Sequence, residues 1–321
     1  MSSALERFPP VIRKHRKLRI LKRIGEDRFL LLLLAPGVIW FIIYRYLPMA
    51  GLVIAFKDFS FSKGIFGSVW VGLDNFRFLF FEQSDFYNIL RNTLLINTYR
   101  LIFSFPAPII LALAINELKS PQLGKFKNIV QTAVYIPHFV SWVIFGGIIV
   151  QFLSPSNGLV NQLLGLFGIK PIYFLTDPDW FQTVIVVTDI WKTTGWGAII
   201  YLAALAGVDP SLYDAAEIDG AGSFSQIIHV TLPAIADTIV FIMLLNVGRI
   251  LMIGFEQIYV LYNPMVYEVG DVISTYVYRV GIGNAQFSLT TAIGLFQSVI
   301  GLIMIAASNW ASKKWLDRGL F

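Results

Sequence analysis

Long unbroken apolar stretches dominate the chain, in place of the period-two alternation of half-buried strands or the narrow stripe of a soluble helix. Crossing about 30 Å of hydrocarbon takes roughly 20 helical residues. Windows of that kind fall at 29–56, 87–116, 126–153, 181–207, 233–260 and 286–312. The pattern predicts an all-α polytopic membrane protein with six transmembrane helices. Its membrane domain covers 29–312, between a basic tail at 1–28 and a short tail at 313–321. Continuous apolar runs exclude a β-barrel, whose strands alternate over about ten residues. Pro36, Pro48, Pro106, Pro108, Pro137 and Pro233 lie inside or at the start of spans. They predict broken helices, which are tolerated where neighbours or a cavity satisfy the freed carbonyls.

Composition narrows the chemistry. With 56% hydrophobic and 14% charged residues in 321, no room remains for a soluble catalytic domain. The absence of cysteine excludes disulfides, thiolate metal sites and thiol catalysis, and His15, His138 and His229 are too scattered to suggest a zinc cluster. Gly124-Lys125 is followed by Phe126 and lacks the upstream glycine of a phosphate-binding loop. The chain is not expected to be an enzyme or to hold a metal or cofactor.

Charge sets the orientation. Residues 1–28 hold nine Lys/Arg against three acids, including Arg13-Lys14-His15-Arg16-Lys17, and lead directly into Phe29-Leu30-Leu31-Leu32-Leu33-Leu34. That adjacency predicts juxtamembrane anchoring rather than nucleic-acid binding. The basic stretch is too long for a cleavable leader, and no small-residue cleavage site follows at the usual distance. Lys and Arg number fifteen on the N-terminal side of the spans and five on the other, which places both termini in the cytoplasm.

One cytoplasmic loop departs from that rule. Residues 208–232 have no Lys or Arg and four acids, Asp209, Asp214, Glu217 and Asp219. Asp209-Pro210 reads as an N-cap with proline at the first helical position, and Gly220 or Gly222 as a left-handed exit. Ser223 with Gln226 reads as a capping box for a second helix. Leu212, Ala215 and Ala216 share a face at i, i+3, i+4. A solvated acidic loop is the plain reading. Two capped helices within 209–226 are better explained as a docking surface for another protein.

Asp214-Ala215-Ala216, then Glu217-Ile218-Asp219-Gly220-Ala221 and Leu232-Pro233, resembles the EAA loop of permease subunits in type I ABC importers, with Asp in place of the usual first Glu. Val71-Gly72-Leu73-Asp74-Asn75-Phe76, Ile136-Pro137 with Ser141, and Asp189-Ile190-Trp191-Lys192-Thr193-Thr194-Gly195-Trp196 are similar to permeases importing oligosaccharides. The likeness runs from residue 29 onward and is nearest to alginate-importer permeases, with aldouronate-type permeases next. It implies an ATPase-coupling site at Asp214, Ala215, Ala216, Glu217, Asp219 and Gly220. Asp214 would face a basic group on the ATPase, and Gly220 would make the turn. It also implies a bacterial inner-membrane subunit working beside a homologous second permease as a heterodimer. Two cytoplasmic ABC ATPases would carry ATP and Mg²⁺, and an external solute-binding protein would deliver cargo.

With Lys127 counted with its loop, eight charged residues fall within the spans: Arg45, Arg91, Arg100, Asp189, Lys192, Asp237, Arg249 and Glu256. A charge at a helix centre costs about 2.5–3.5 kcal/mol on insertion scales, so central ones are expected to face the bundle interior or a wet path. Asp189 and Lys192 stand at i, i+3 and are expected to pair on one helix face, either as a structural pair or as a pathway wall. Arg100 is expected to line the same cavity or to pair with Asp189 or Asp237. The substrate path is assigned to Lys192, Trp196, Asn246, Arg249 and Glu256. The resemblance implies oligosaccharide or polysaccharide cargo, and the mid-membrane cations favour acidic sugars such as alginate. The rivals are an ion-coupled secondary transporter, which calls for an inverted repeat that the chain does not display, and an ABC permease for a peptide or inorganic anion.

Overall fold

The computed structural model describes residues 27–118, 124–316 and 319. The basic tail up to residue 26 lies outside them. Among the described residues two compact units are present, one of residues 27–54 and 59–69, the other of 55–58 and from 70 onward.

In the first unit, Arg28–Phe41 (α1) continues through a π turn at Ile42–Tyr46, so that the unit's part of the first apolar run, residues 28–54, is helical. Its leucines at 30–34 are exposed, as a lipid-facing helix requires.

The second unit holds the other spans. Phe86–Tyr99 (α2) passes through a π turn at Arg100–Ser104 into Pro106–Asn116 (α3), with proline at the helix start, where its missing N–H costs little. Gly124–Phe139 (α4) and Trp142–Phe152 (α5) are one apolar run bent by 106°. Pro178–Leu205 (α6) is followed by Pro210–Ile218 (α7) at 77°. Ser223–Ala234 meets Ala236–Gly248 (α8) at 63°; Phe255–Leu261 (α9) and Phe287–Leu316 (α10) follow. Among the described residues three helices are long and apolar enough to cross a membrane alone, and six spans result if each bent pair counts as one.

The prolines predicted the first of the following two breaks, and the second corrects a predicted span. The third span, 126–153, turns at Val140–Ser141, where Pro137 weakens the ladder and the Ser141 hydroxyl accepts from the Ile144 amide at 3.3 Å. The fifth, 233–260, loses helical form between Gly248 and Phe255. Two carbonyls freed there are taken by neighbours: Asn97 Nδ2 donates to Ile250 O at 2.6 Å, and Gln297 Nε2 to Leu251 O at 2.7 Å.

Packing within this unit gathers in three clusters. Ile96, Phe145, Ile149, Phe181, Ile185 and Ile258 join α2, α5, α6 and α9. Phe86, Ile89, Leu251 and Ile293 join α2 and α10 to the segment after α8. Ala112, Ala198, Tyr201 and Ile235 join α3 to α6. In lipid, dispersion and hydrogen bonds rather than water release hold such helices together, so close approach matters. At Gly195 α6 lies so near the Val134 carbonyl of α4 that a Cβ would collide with it. Buried amides add to this: Asn92 Nδ2 donates to the carbonyls of Glu268 (2.8 Å) and Asp271 (3.1 Å).

Candidate functional site

The two broken runs and the α2–α3 junction surround a cavity of about 570 Å³. Its wall includes Asn97, Arg100, Ser104, His138, Asp189, Trp196, Asn246 and Arg249. Trp196, Asn246 and Arg249, three of the path residues assigned from sequence, thus stand together. Lys192 and Glu256 are not in the lining.

Asp189 and Lys192 do not pair with each other. The carboxylate Oδ1 of Asp189 lies 3.5 Å from Arg100 Nη2 on the neighbouring span. Lys192 is 5% exposed, and its ammonium donates to main-chain carbonyls of Pro137 (2.9 Å), His138 (3.1 Å) and Val140. Helical spacing places neighbours on one cylinder, but an orphaned carbonyl cluster on α4 competes better for the ammonium than a carboxylate already held by a guanidinium. Glu256 sits exposed in the first turn of α9, a favourable place for an acid.

The charged groups in the cavity wall differ in their commitments. Arg100 also donates to Gln257 Oε1, while Gln257 Nε2 donates to Ile185 O (2.8 Å) and Thr188 Oγ1 (2.9 Å). Arg100 and Asp189 therefore neutralise each other inside a hydrogen-bonded network linking α2, α6 and α9. Arg249 is exposed at the end of α8 and makes no ion pair among the described residues. Among the described residues, one positive charge in the wall is thus without an ion pair.

Aromatic and polar groups complete the wall. The rings of His138 and Trp196 stack with centroids 4.5 Å apart and planes 2° from parallel. Sequence reasoning missed His138 and Ser104; the neighbouring Pro137, which marks the elbow, is the signal that points to His138. Arg100 Nε, Ser104 Oγ and His138 Nδ1 are buried without hydrogen-bond partners among the described residues. Unmet hydrogen-bonding capacity of this kind suits polar, hydroxyl-bearing contents.

Away from the cavity, the predicted elbow at 209–226 is present. Asp209 caps α7, its carboxylate accepting from the Ser211 amide at 2.9 Å, and that bond holds the Asp209 carboxyl below the usual carboxylate range. Gly220 leaves the helix at φ +79°, in the left-handed region. The second helix starts one residue earlier than the capping-box reading: Gly222 is the N-cap, and Gln226 Nε2 donates to Ala221 O at 3.1 Å. Tyr213 Oη and the buried Thr231 Oγ1, 3.1 Å apart, tie α7 to the chain beyond it. Asp214, Ala215, Glu217, Asp219 and Gly220 are exposed and Ala216 half-buried, with Ile218 87% and Phe224 75% exposed. Large apolar groups on a short acidic helix pair form a surface suited to a protein partner.

On the 261–285 segment, Arg279 Nη2 meets Asp271 Oδ2 at 2.5 Å, which raises the guanidinium pKa. Burial and the neighbouring Tyr267 push the Tyr262 phenol up to about 12.

Comparison with known proteins agrees with this architecture. Protein LplB of Bacillus subtilis (strain 168) is 45% identical over 316 residues, 98% of each chain. The polygalacturonan/rhamnogalacturonan transport system permease protein YteP of the same organism is 42% identical over 97% of this chain and 96% of its own length. A bacterial alginate ABC transporter, solved in complex with an alginate pentasaccharide-bound periplasmic protein, has a chain 41% identical, with a TM-score of 0.84 over 94% of this chain and 100% of that one. Residues 104–317 match the family model described as the binding-protein-dependent transport system inner membrane component. With type I importer permease architecture and that match across most of its length, the chain belongs to the binding-protein-dependent transport system inner membrane component family.

Proposed function

We propose that this chain forms half of the translocation path of an ATP-driven ABC importer of oligosaccharides or polysaccharides, including acidic ones such as alginate. The observation that carries the reading is the cavity wall. A parallel His138–Trp196 stack, the unpaired Arg249 and the amide of Asn246 share one space between broken helices. Sugar rings present apolar C–H faces to aromatic planes and hydroxyls to amides, and uronate carboxylates match a guanidinium. The named cargoes of YteP and the alginate transporter, both polyuronate-containing, support the same class.

The remaining machinery is supplied in trans. A homologous permease provides the other half of the path, two ABC ATPases bind ATP with Mg²⁺, and a solute-binding protein delivers cargo to the outer loops. Alginate-bound periplasmic protein in the related complex supports the last of these. The elbow at 209–226 docks in the ATPase, with Asp214, Ala215, Ala216, Glu217, Asp219 and Gly220 at the contact. Both termini lie on the cytoplasmic side of the inner membrane.

Uptake of labelled uronate oligomers by proteoliposomes holding the complete complex tests this reading. Transport that requires both internal ATP and loaded binding protein is expected. Uptake by this chain alone, driven by a proton or sodium gradient, would overturn it.

A further inference from the structure

Lys192 is the buried cation that the cavity wall leaves unused. In an unbroken helix the carbonyls of Pro137, His138 and Val140 accept from amides four residues on. The 106° turn between α4 and α5 disturbs that ladder, and the amide of Ile144, the natural partner of Val140, goes to Ser141 Oγ instead. All three oxygens accept from the single ammonium of Lys192. The same ammonium lies 5.2 Å from the Trp142 ring centroid and 5.5 Å from that of Phe145, both on the far arm of the turn. One side chain of α6 thus engages both arms of the elbow. A fourth residue further along α6, Trp196 stacks on His138, whose own carbonyl is one of the three acceptors.

We infer that Lys192 is a positioning residue of the path: it clamps the elbow of the third span and through it holds His138 against Trp196, without touching cargo. Replacing it leaves three carbonyls without their donor in a low-dielectric setting, where the helix regains its bonds by straightening. The functional consequence rests on the reading of the cavity as the cargo path; the clamp itself does not.

The chain has no cysteine, so Asn128→Cys and Val150→Cys accept a pair of spin labels, one on each arm, in the otherwise native complex. The native elbow is expected to give a single short distance. Lys192→Met is expected to shift or broaden it toward a straight-helix value about 10 Å longer, at roughly 1.5 Å of rise per residue. An unchanged distance overturns the inference, and because this measurement needs no cargo it stands apart from the identity of the substrate. Transport kinetics give the second reading, on Lys192→Gln, whose amide brings two N–H donors on a shorter stem to three carbonyls and so loosens the clamp, and which serves if the methionine variant does not assemble. KM is expected to rise by the same factor for a uronate oligomer and for its carboxyl-reduced counterpart, with kcat retained. His138→Ala should add nothing on that background, since both changes act through one contact. A KM change confined to the acidic cargo, an unchanged KM, or additive effects of the two substitutions overturn the inference.

Discussion

Arg249 and Arg100 carry the same charge into the same cavity with different obligations. Arg100 is bound to Asp189 and Gln257, while Arg249 makes no ion pair among the described residues. Losing a charge-assisted hydrogen bond of about 1.5–3 kcal/mol corresponds to roughly ten- to a hundredfold in affinity. Arg249→Ala is therefore expected to raise KM for an acidic oligomer by about that factor, with a neutral oligomer little affected; transport assays on both cargoes check this. Arg100→Ala should act on stability instead, because it strands the half-buried Asp189, at a cost below the about 3–5 kcal/mol of breaking a fully buried pair. Thermal unfolding of the assembled complex should show a large loss in Arg100→Ala and a smaller one when Asp189→Asn is added. These mid-span charges were legible in the sequence. The Arg100–Asp189 pair and the place of Arg100 in the cavity were among the expected alternatives; the partners of Lys192 were not, because i, i+3 spacing reports proximity on one helix only, and the carbonyls that captured Lys192 sit on another span.

Elements were legible where local chemistry decides them. The Asp209-Pro210 start and the Gly220 exit of α7 follow from capping and φ preference alone, and the structure contains both. The start of the next helix was misplaced by one residue, since glycine and serine both satisfy an N-cap, and Gln226 bonds to the Ala221 carbonyl in place of closing a capping box on Ser223. The break after Gly248 has no proline to announce it; side chains of Asn97 and Gln297, distant in sequence, hold its carbonyls. Gly220→Val places a β-branched residue in the left-handed region at a cost of roughly 1–2 kcal/mol. It is expected to leave ATP hydrolysis running while transport falls, and measured transport per ATP equal to the native value would count against the elbow's role. Asp209 adds a pH dependence. Its folded-state pKa lies below the ordinary value of about 3.9, so its cap stabilises α7 above that pH and is lost as pH falls through the lowered value. Asp209→Asn, which caps without titrating, should therefore flatten the acid limb of transport coupling measured below about pH 4.

At the scale of the molecule, hydropathy set the number of membrane runs: among the described residues there are three long helices and three bent pairs, and those of the second unit leave a cavity with polar groups in its wall. Of the span acids that an ion-coupled carrier would use, Asp189 is engaged by Arg100 and Glu256 lies outside the cavity lining. The exposed elbow has no role in such a carrier, whereas a separate motor protein needs a surface to hold. Site-directed cross-linking measures that directly, because a single cysteine placed at Ala215 in this cysteine-free chain reports its neighbour without ambiguity. In the assembled complex it is expected to link to the ATPase subunit, in a yield that changes with bound nucleotide. Linkage to the solute-binding protein or to nothing, with the ATPase present and active, would contradict the account.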